Sequence, residues 1–182
     1  MPFSLKKTVV LVGMMGAGKT AIGTALARAM GVPFLDSDAE IEAAANMTIA
    51  EIFSRDGEAF FRTKESQVIA RLLDGMPSVL STGGGAFLQA ANREALAAAG
   101  VSVWLRADLD LLWSRVKHKA TRPLLRTSDP RATLEELCKA RNPEYAKADL
   151  VVDAHKSYSI EEMTERVIEA LMTRPDVLEQ TR

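Results

Sequence analysis

Gly13-Met14-Met15-Gly16-Ala17-Gly18-Lys19-Thr20 is the stretch that decides the fold. It follows an apolar run, Thr8-Val9-Val10-Leu11-Val12, with the β-branched character of a buried strand. A helical pattern over 20–30 follows it. Strand, G-x-x-x-x-G-K-[ST], helix is the phosphate-binding loop in its proper context. Gly13, Gly16 and Gly18 let the backbone curl tightly and keep side chains off its inner face. Amides around Ala17 can then turn toward phosphate oxygens, and the start of the following helix adds partial positive charge. Lys19 brings a full charge to the β and γ phosphates, and Thr20 offers a hydroxyl to Mg²⁺. The loop predicts a nucleotide donor. It is silent on what receives the phosphate.

Around that loop, strand-like and helical stretches alternate. Pro33-Phe34-Leu35-Asp36 reads as a second strand, and a helix over 39–45 has Asp36, Ser37 and Asp38 available as caps. Thr48-Ile49-Ala50-Glu51 matches a capping box opening a short helix, which Gly57 breaks. A longer helix over 58–73 is expected to turn Phe60, Val68 and Leu72 inward. Ser78-Val79-Leu80-Ser81 is a third strand, ending in Thr82-Gly83-Gly84-Gly85. An alanine-rich helix over 89–99 is expected to stop at Gly100. Val101-Ser102-Val103-Trp104-Leu105 is a fourth strand, and 109–117 a helix.

The polar, basic stretch 117–132 shows little periodicity and reads as a lid loop. A helix over 133–141 is expected to be interrupted by Pro143. Asp149-Leu150-Val151-Val152-Asp153 is the fifth strand, Ser159 with Glu162 caps a last helix, and the tail 173–182 is expected to fray. Five apolar strands separated by helical crossovers predict an α/β fold, a parallel sheet covered on both faces. Ligands in such sheets gather at the C-terminal strand ends, where Asp36, Asp38 and the glycine triplet fall.

With 182 residues, 47% hydrophobic and 26% charged, the chain is long enough for one self-sufficient core. A net charge of −1 argues against a dedicated nucleic-acid binder. The lone Cys138 allows no disulfide framework or zinc cluster and reads as a structural thiol. The N-terminus is too short and polar for a signal peptide, and the run from Thr8 falls far short of a membrane span. The expectation is a soluble cytoplasmic protein with no membrane contact.

Several residues could carry chemistry. Asp36 and Asp38 sit at a strand end, as a helix-cap pair or as a magnesium-holding carboxylate and a proton acceptor. Arg62 and Glu65, three apart on one helix, could be a surface ion pair or a partly buried site pair beside Phe60 and Phe61. Gly83, Gly84 and Gly85 allow close backbone approach to a ligand. Arg122 in the lid could close over a transferring phosphoryl group. Arg115 and Arg141 are further candidates, while His118 and His155 fit no metal-ligand spacing and read as exposed polar residues.

Taken together, the loop 13–20, Phe34-Leu35-Asp36-Ser37-Asp38, Phe61-Arg62-x-x-Glu65, Gly83-Gly84-Gly85, Arg122-Pro123-Leu124-Leu125 and Arg141-x-Pro143-x-Tyr145 closely resemble shikimate kinase. The likeness runs from about Val9 to Asp153. It implies a nucleoside-monophosphate-kinase-like fold of strand order 2-3-1-4-5 with a closing lid, and a monomer. It implies transfer of the ATP γ-phosphoryl group to the 3-hydroxyl of shikimate, with Mg²⁺, in the pathway to aromatic amino acids. By the resemblance, Asp38 holds the substrate hydroxyls and is the candidate base. Arg62 and Arg141 bind the carboxylate, Glu65 orients Arg62, and the glycine triplet donates backbone N–H groups. Arg122 meets the phosphates, Arg115 lies against adenine, and Asp36 with Thr20 organises Mg²⁺.

Two arginines suit a carboxylate, and a carboxylate suits vicinal hydroxyls. The sequence departs from the family pattern at Asn46, where a glycine is common, and at 157–160, which lacks a proline that stacks on adenine. The competing reading is another kinase of this fold acting on gluconate or a nucleoside monophosphate. A guanine-nucleotide switch would need an Asn-Lys-x-Asp run, which none of Asn46, Asn92 or Asn142 begins.

Overall fold

A strand buried at every position cannot lie at a surface. Thr8–Val12 (β2) is buried along its whole length, so both faces of its sheet are covered. The computed structural model describes residues 2–118 and 125–181. In chain order it runs β1 (Phe3–Leu5), β2, α1 (Lys19–Met30), β3 (Phe34–Asp36), α2 (Ser37–Ala45), α3 (Ile49–Asp56), α4 (Glu58–Leu73) and β4 (Val79–Ser81). Then come a 3₁₀ turn (Ala86–Leu88), α5 (Ala90–Ala99), β5 (Gly100–Arg106), α6 (Leu109–Val116), α7 (Pro130–Tyr145), β6 (Leu150–Asp153), α8 (Ile160–Met172) and β7 (Leu178–Gln180). The five-stranded sheet has the order β3-β4-β2-β5-β6 and all its pairings are parallel. Counting only those five strands along the chain, this is the expected 2-3-1-4-5 order. Among the described residues no helix is long and apolar enough to cross a membrane.

The main core lies on β2, β4 and β5, with Leu26 of α1 and Val167 of α8 packed into it. A separate small cluster of Ile41, Ile52, Phe61 and Val68 joins α2, α3 and α4. It fixes the outward face of α4, where Arg62 sits beside Phe61.

Local expectations fail where packing outweighs them. Phe60 is exposed and Phe61 is the buried ring, stacked on Phe53 at 4.8 Å. The capping box at Thr48 is half formed: Thr48 accepts from the Glu51 amide, but the Glu51 carboxylate takes the Thr48 hydroxyl instead of the cap amide. Ser159 and Glu162 form the reciprocal pair in full. Gly100 is not a left-handed helix stop. It opens β5 in extended geometry, where a Cβ would fall 2.6 Å from the Thr8 carbonyl.

Pro143 does not interrupt its helix, because α7 runs through it to Tyr145. Burial of Leu134, Cys138 and Tyr145 on one face offsets the lost hydrogen bond, a local cost of ~3 kcal/mol in a helix interior. The tail does not fray either. Val177 and Leu178 are buried, and β7 pairs antiparallel with β1. Two apolar side chains and a strand ladder hold what its polar, proline-bearing composition suggested was loose.

Candidate active site

The loop between β2 and α1 is bent at three glycines with positive φ: Gly13 (146°), Gly16 (84°) and Gly18 (96°). A Cβ on Gly16 would meet Val116 at 2.8 Å, so α6 lies against the loop with no room for a side chain. Met14 and Ala17 sink into the core, which anchors the loop from beneath. Lys19 Nζ donates to the Gly13 carbonyl (2.5 Å), and Arg115 Nη1 donates to the Gly16 carbonyl (2.9 Å). Two cations are thereby held at the cradle. Gly18 caps α1 in left-handed geometry and, being a glycine, makes no side-chain cap hydrogen bond to that helix.

At the ends of β3 and β4 a second constellation forms. Asp36 accepts from the amides of Asp38 and Ala39 through Oδ1 and so caps α2. This places Asp38 on the first turn of α2, facing the glycine triplet. A Cβ on Gly83 would stand 2.7 Å from Asp38 Oδ1. One on Gly84 would stand 2.6 Å from Arg141 Nη1, and one on Gly85 would fall on the Arg62 guanidinium. None of the three glycines has positive φ. They are needed for space, because each leaves room for one functional side chain. The sequence reading, which gave the triplet's room to the ligand, missed this.

Arg62 is anchored from α4. Its Nη1 donates to Glu65 Oε1 at 2.9 Å, and its Nε lies 3.6 Å from Glu58. Glu65 is only 1% exposed. Burial pushes its carboxyl up, while the Arg62 guanidinium draws it back down. Burial likewise raises the Asp38 carboxyl from 3.8 to about 6, helped by the negative charges of Asp36 and Glu65 and opposed by Lys19. Lys19 of the phosphate loop is thus within electrostatic reach of Asp38.

The structure thus brings Asp38, Arg62 and Arg141 around the triplet, with Glu65 bonded to Arg62. Arg122 lies outside the described residues. Thr20 is exposed at the start of α1. His118 and His155 are exposed as expected, and burial raises the Cys138 thiol. A cleft of about 250 Å³ opens beside Gly18, lined by Arg115, Tyr158, Ile160 and Met163 among others. It occupies the region where the sequence lacks the familiar proline. Tyr158 and Ile160 belong to no motif of their own, and it is their placement against the loop that gives them a lining role. Tyr145 was also missed as an individual residue: its phenol donates to the Gly84 carbonyl at 2.6 Å.

A phosphate cradle adjoining a carboxylate and two convergent guanidinium groups defines a small-molecule kinase whose acceptor carries an anionic group and hydroxyls. A family model described as shikimate kinase matches residues 15–172. The shikimate kinase of Ruegeria pomeroyi is 69% identical over 176 residues, covering 97% of this chain and 90% of that protein. The solved structure of shikimate kinase from Acinetobacter baumannii in complex with shikimate superposes with a TM-score of 0.87 at 37% identity, over 93% of this chain and 94% of that one. A gluconokinase from Sinorhizobium meliloti, at 19% identity and a TM-score of 0.63 over 93% of this chain and 94% of its own, shares the fold alone.

The chain belongs to the shikimate kinase family. Its reaction is the ATP-dependent phosphorylation of shikimate, in the shikimate pathway.

Proposed function

We propose that the two constellations divide the reaction between them. The loop 13–20 holds ATP, and the pocket of Asp38, Arg62, Gly83, Gly84, Gly85 and Arg141 holds shikimate with its 3-hydroxyl toward the γ-phosphorus. The observation that supports this most directly is the glycine triplet, each member of which faces one charged group across a space no side chain could share. Arg62 and Arg141 take the shikimate carboxylate through charge-assisted hydrogen bonds. Glu65 fixes the Arg62 fork, and Asp38 accepts from the ring hydroxyls. As the 3-hydroxyl oxygen bonds to phosphorus, its proton passes to Asp38 and the bond to the β–γ bridging oxygen breaks. A carboxyl at about 6 is ionised near neutrality yet basic enough for that transfer. Lys19 balances charge on the transferring group, and Arg115 with the cleft at Tyr158 and Ile160 takes adenine.

The residues present fit a magnesium ion. Asp36 uses Oδ1 for its cap bonds, and no described residue bonds to its Oδ2. Thr20 adds a hard hydroxyl oxygen. Among the described residues no cluster of three or more metal-binding side chains exists. An ion held by one or two protein oxygens and the ATP phosphates needs none. Mg²⁺, when bound, neutralises phosphate charge. In this reading Arg122 is the lid arginine, 117–132 closes over ATP, and the chain is a single-domain monomer working in the cytoplasm without nucleic acid or membrane.

The test is a coupled ADP-release assay on Arg62→Ala and Arg141→Ala with shikimate and with gluconate. Each substitution is expected to raise the KM for shikimate ~10–100-fold, leaving that for ATP nearly unchanged. Unchanged shikimate KM with weakened ATP binding would put the arginines on the donor side and overturn the assignment.

A further inference from the structure

Tyr145 is a buried polar group beside the pocket that takes no part in the reaction scheme above. It is completely buried on α7, and burial keeps its phenol protonated well into the alkaline range. A phenylalanine would fill the same volume without burying a hydroxyl, so the hydroxyl must have a partner to be tolerated. The hydroxyl donates to the Gly84 carbonyl at 2.6 Å, and the Arg141 guanidinium is a second hydrogen-bonding neighbour of the phenol. One helical turn earlier on α7, Arg141 reaches over that same glycine, with Nη1 2.6 Å from where a Cβ would stand. Continuation of the helix through Pro143 is what puts the two side chains on one face. The Tyr145 ring packs on Trp104 at 6.0 Å between centroids. Trp104 in turn lies 3.5 Å from the place of a Cβ on Gly13. A continuous path therefore runs from the glycine triplet through Tyr145 and Trp104 to the phosphate loop.

We infer that Tyr145 is a positioning residue for phosphoryl transfer: its hydrogen bond to Gly84 sets how far Arg141 stands from Asp38 and Arg62, and so fixes the acceptor-carboxylate site. The inference rests on the reading that Arg141 binds the carboxylate. Without the bond, Gly84 keeps its space but loses its tether, and α7 can carry Arg141 away from the strip. Binding of the acceptor suffers, while the donor cradle keeps its own anchors at Lys19 and Arg115.

Y145F, R141A and the double variant test this by steady-state kinetics with both substrates and by thermal melting. Y145F is expected to raise the shikimate KM about tenfold, with kcat and the ATP KM within about threefold. In the R141A background the same change should add less than about twofold, since the group to be positioned is gone. Full additivity would overturn the proposal. So would a shikimate KM within about twofold of normal in Y145F, or both KM values rising together with a lowered melting point, or failure of Y145F to fold. A normal shikimate KM in R141A overturns the carboxylate reading and this inference with it. A raised KM in R141A beside a normal one in Y145F overturns this inference alone.

Discussion

The phosphate loop keeps its ligand groups within eight consecutive residues, 13–20, whereas the acceptor pocket draws on α2, α4, α7 and the strip after β4. Both use three glycines, for different reasons. Gly13, Gly16 and Gly18 adopt positive φ and supply a backbone shape. Gly83, Gly84 and Gly85 adopt ordinary backbone angles and supply vacant volume for Asp38, Arg141 and Arg62. A cradle made of backbone can be specified by a short sequence and serve many acceptors. A pocket made of side chains from distant elements is specified only by the assembled fold.

That contrast can be broken at several strengths. Asp38→Asn should have the largest effect, lowering kcat ~10²–10⁴-fold with ATP affinity intact, as for loss of a general base. The same change should raise the melting point at pH 7. In the folded chain Asp38 is raised to about 6, so the native state holds its proton more tightly than the unfolded chain does. Its stabilising contribution is present below about pH 4 and lost as pH rises through about 6. At neutrality the buried charge costs ~1–3 kcal/mol, which the neutral amide removes. Melting curves of both chains at pH 4 and pH 7 check it, with the difference confined to the higher pH.

Gly84→Ala sharpens the distinction between shape and volume. A methyl group 2.6 Å from Arg141 Nη1 must move the guanidinium, because φ at this glycine imposes no strain of its own. The shikimate KM should rise ~10–50-fold while the ATP KM holds. Equal damage to both would mean that the halves are not separable. A milder effect follows from titration. Below about pH 6 the base gains its proton, so kcat/KM for shikimate should fall about tenfold per pH unit and be level above. An acid limb centred near pH 4 would remove Asp38 from that role. The smallest effect belongs to a site remote from both halves. Lys6 pairs with Glu179 at 3.1 Å, both well exposed. Lys6→Ala should leave kinetics unchanged and cost under ~1 kcal/mol in denaturant unfolding.

Much of this was legible before any coordinates. The loop 13–20, the five apolar strands and the capped start of α8 are local signals, carried by spacing and composition within a few residues. The order of the strands was not readable from periodicity and came through resemblance to a family. Phe60 was expected inward in place of Phe61, because adjacent rings both fit a helical stripe until α3 packs on one of them. The tail looked loose because a three-residue strand has no signal until its partner β1 is beside it. Pro143 looked like a helix break because the local rule omits the face that α7 buries. The region 157–160 stood out only for lacking a proline, and the lining roles of Tyr158 and Ile160 were not readable, because a cleft is a property of several elements together.

By itself the sequence determined that this chain holds a nucleotide phosphate, since a glycine's conformational freedom and a lysine one residue later are covalent facts about neighbours. It also supplied Asp38, Arg62 and Arg141, the charges of the proposed acceptor pocket. Only the tertiary structure decided that those charges meet. Asp38, Arg62 and Arg141 are separated by long intervals of chain, and each becomes useful when the strip 83–85 offers it a space without a side chain. Proximity across such intervals is fixed by packing of α2, α4 and α7 around the sheet, and only the assembled sheet and helices contain it.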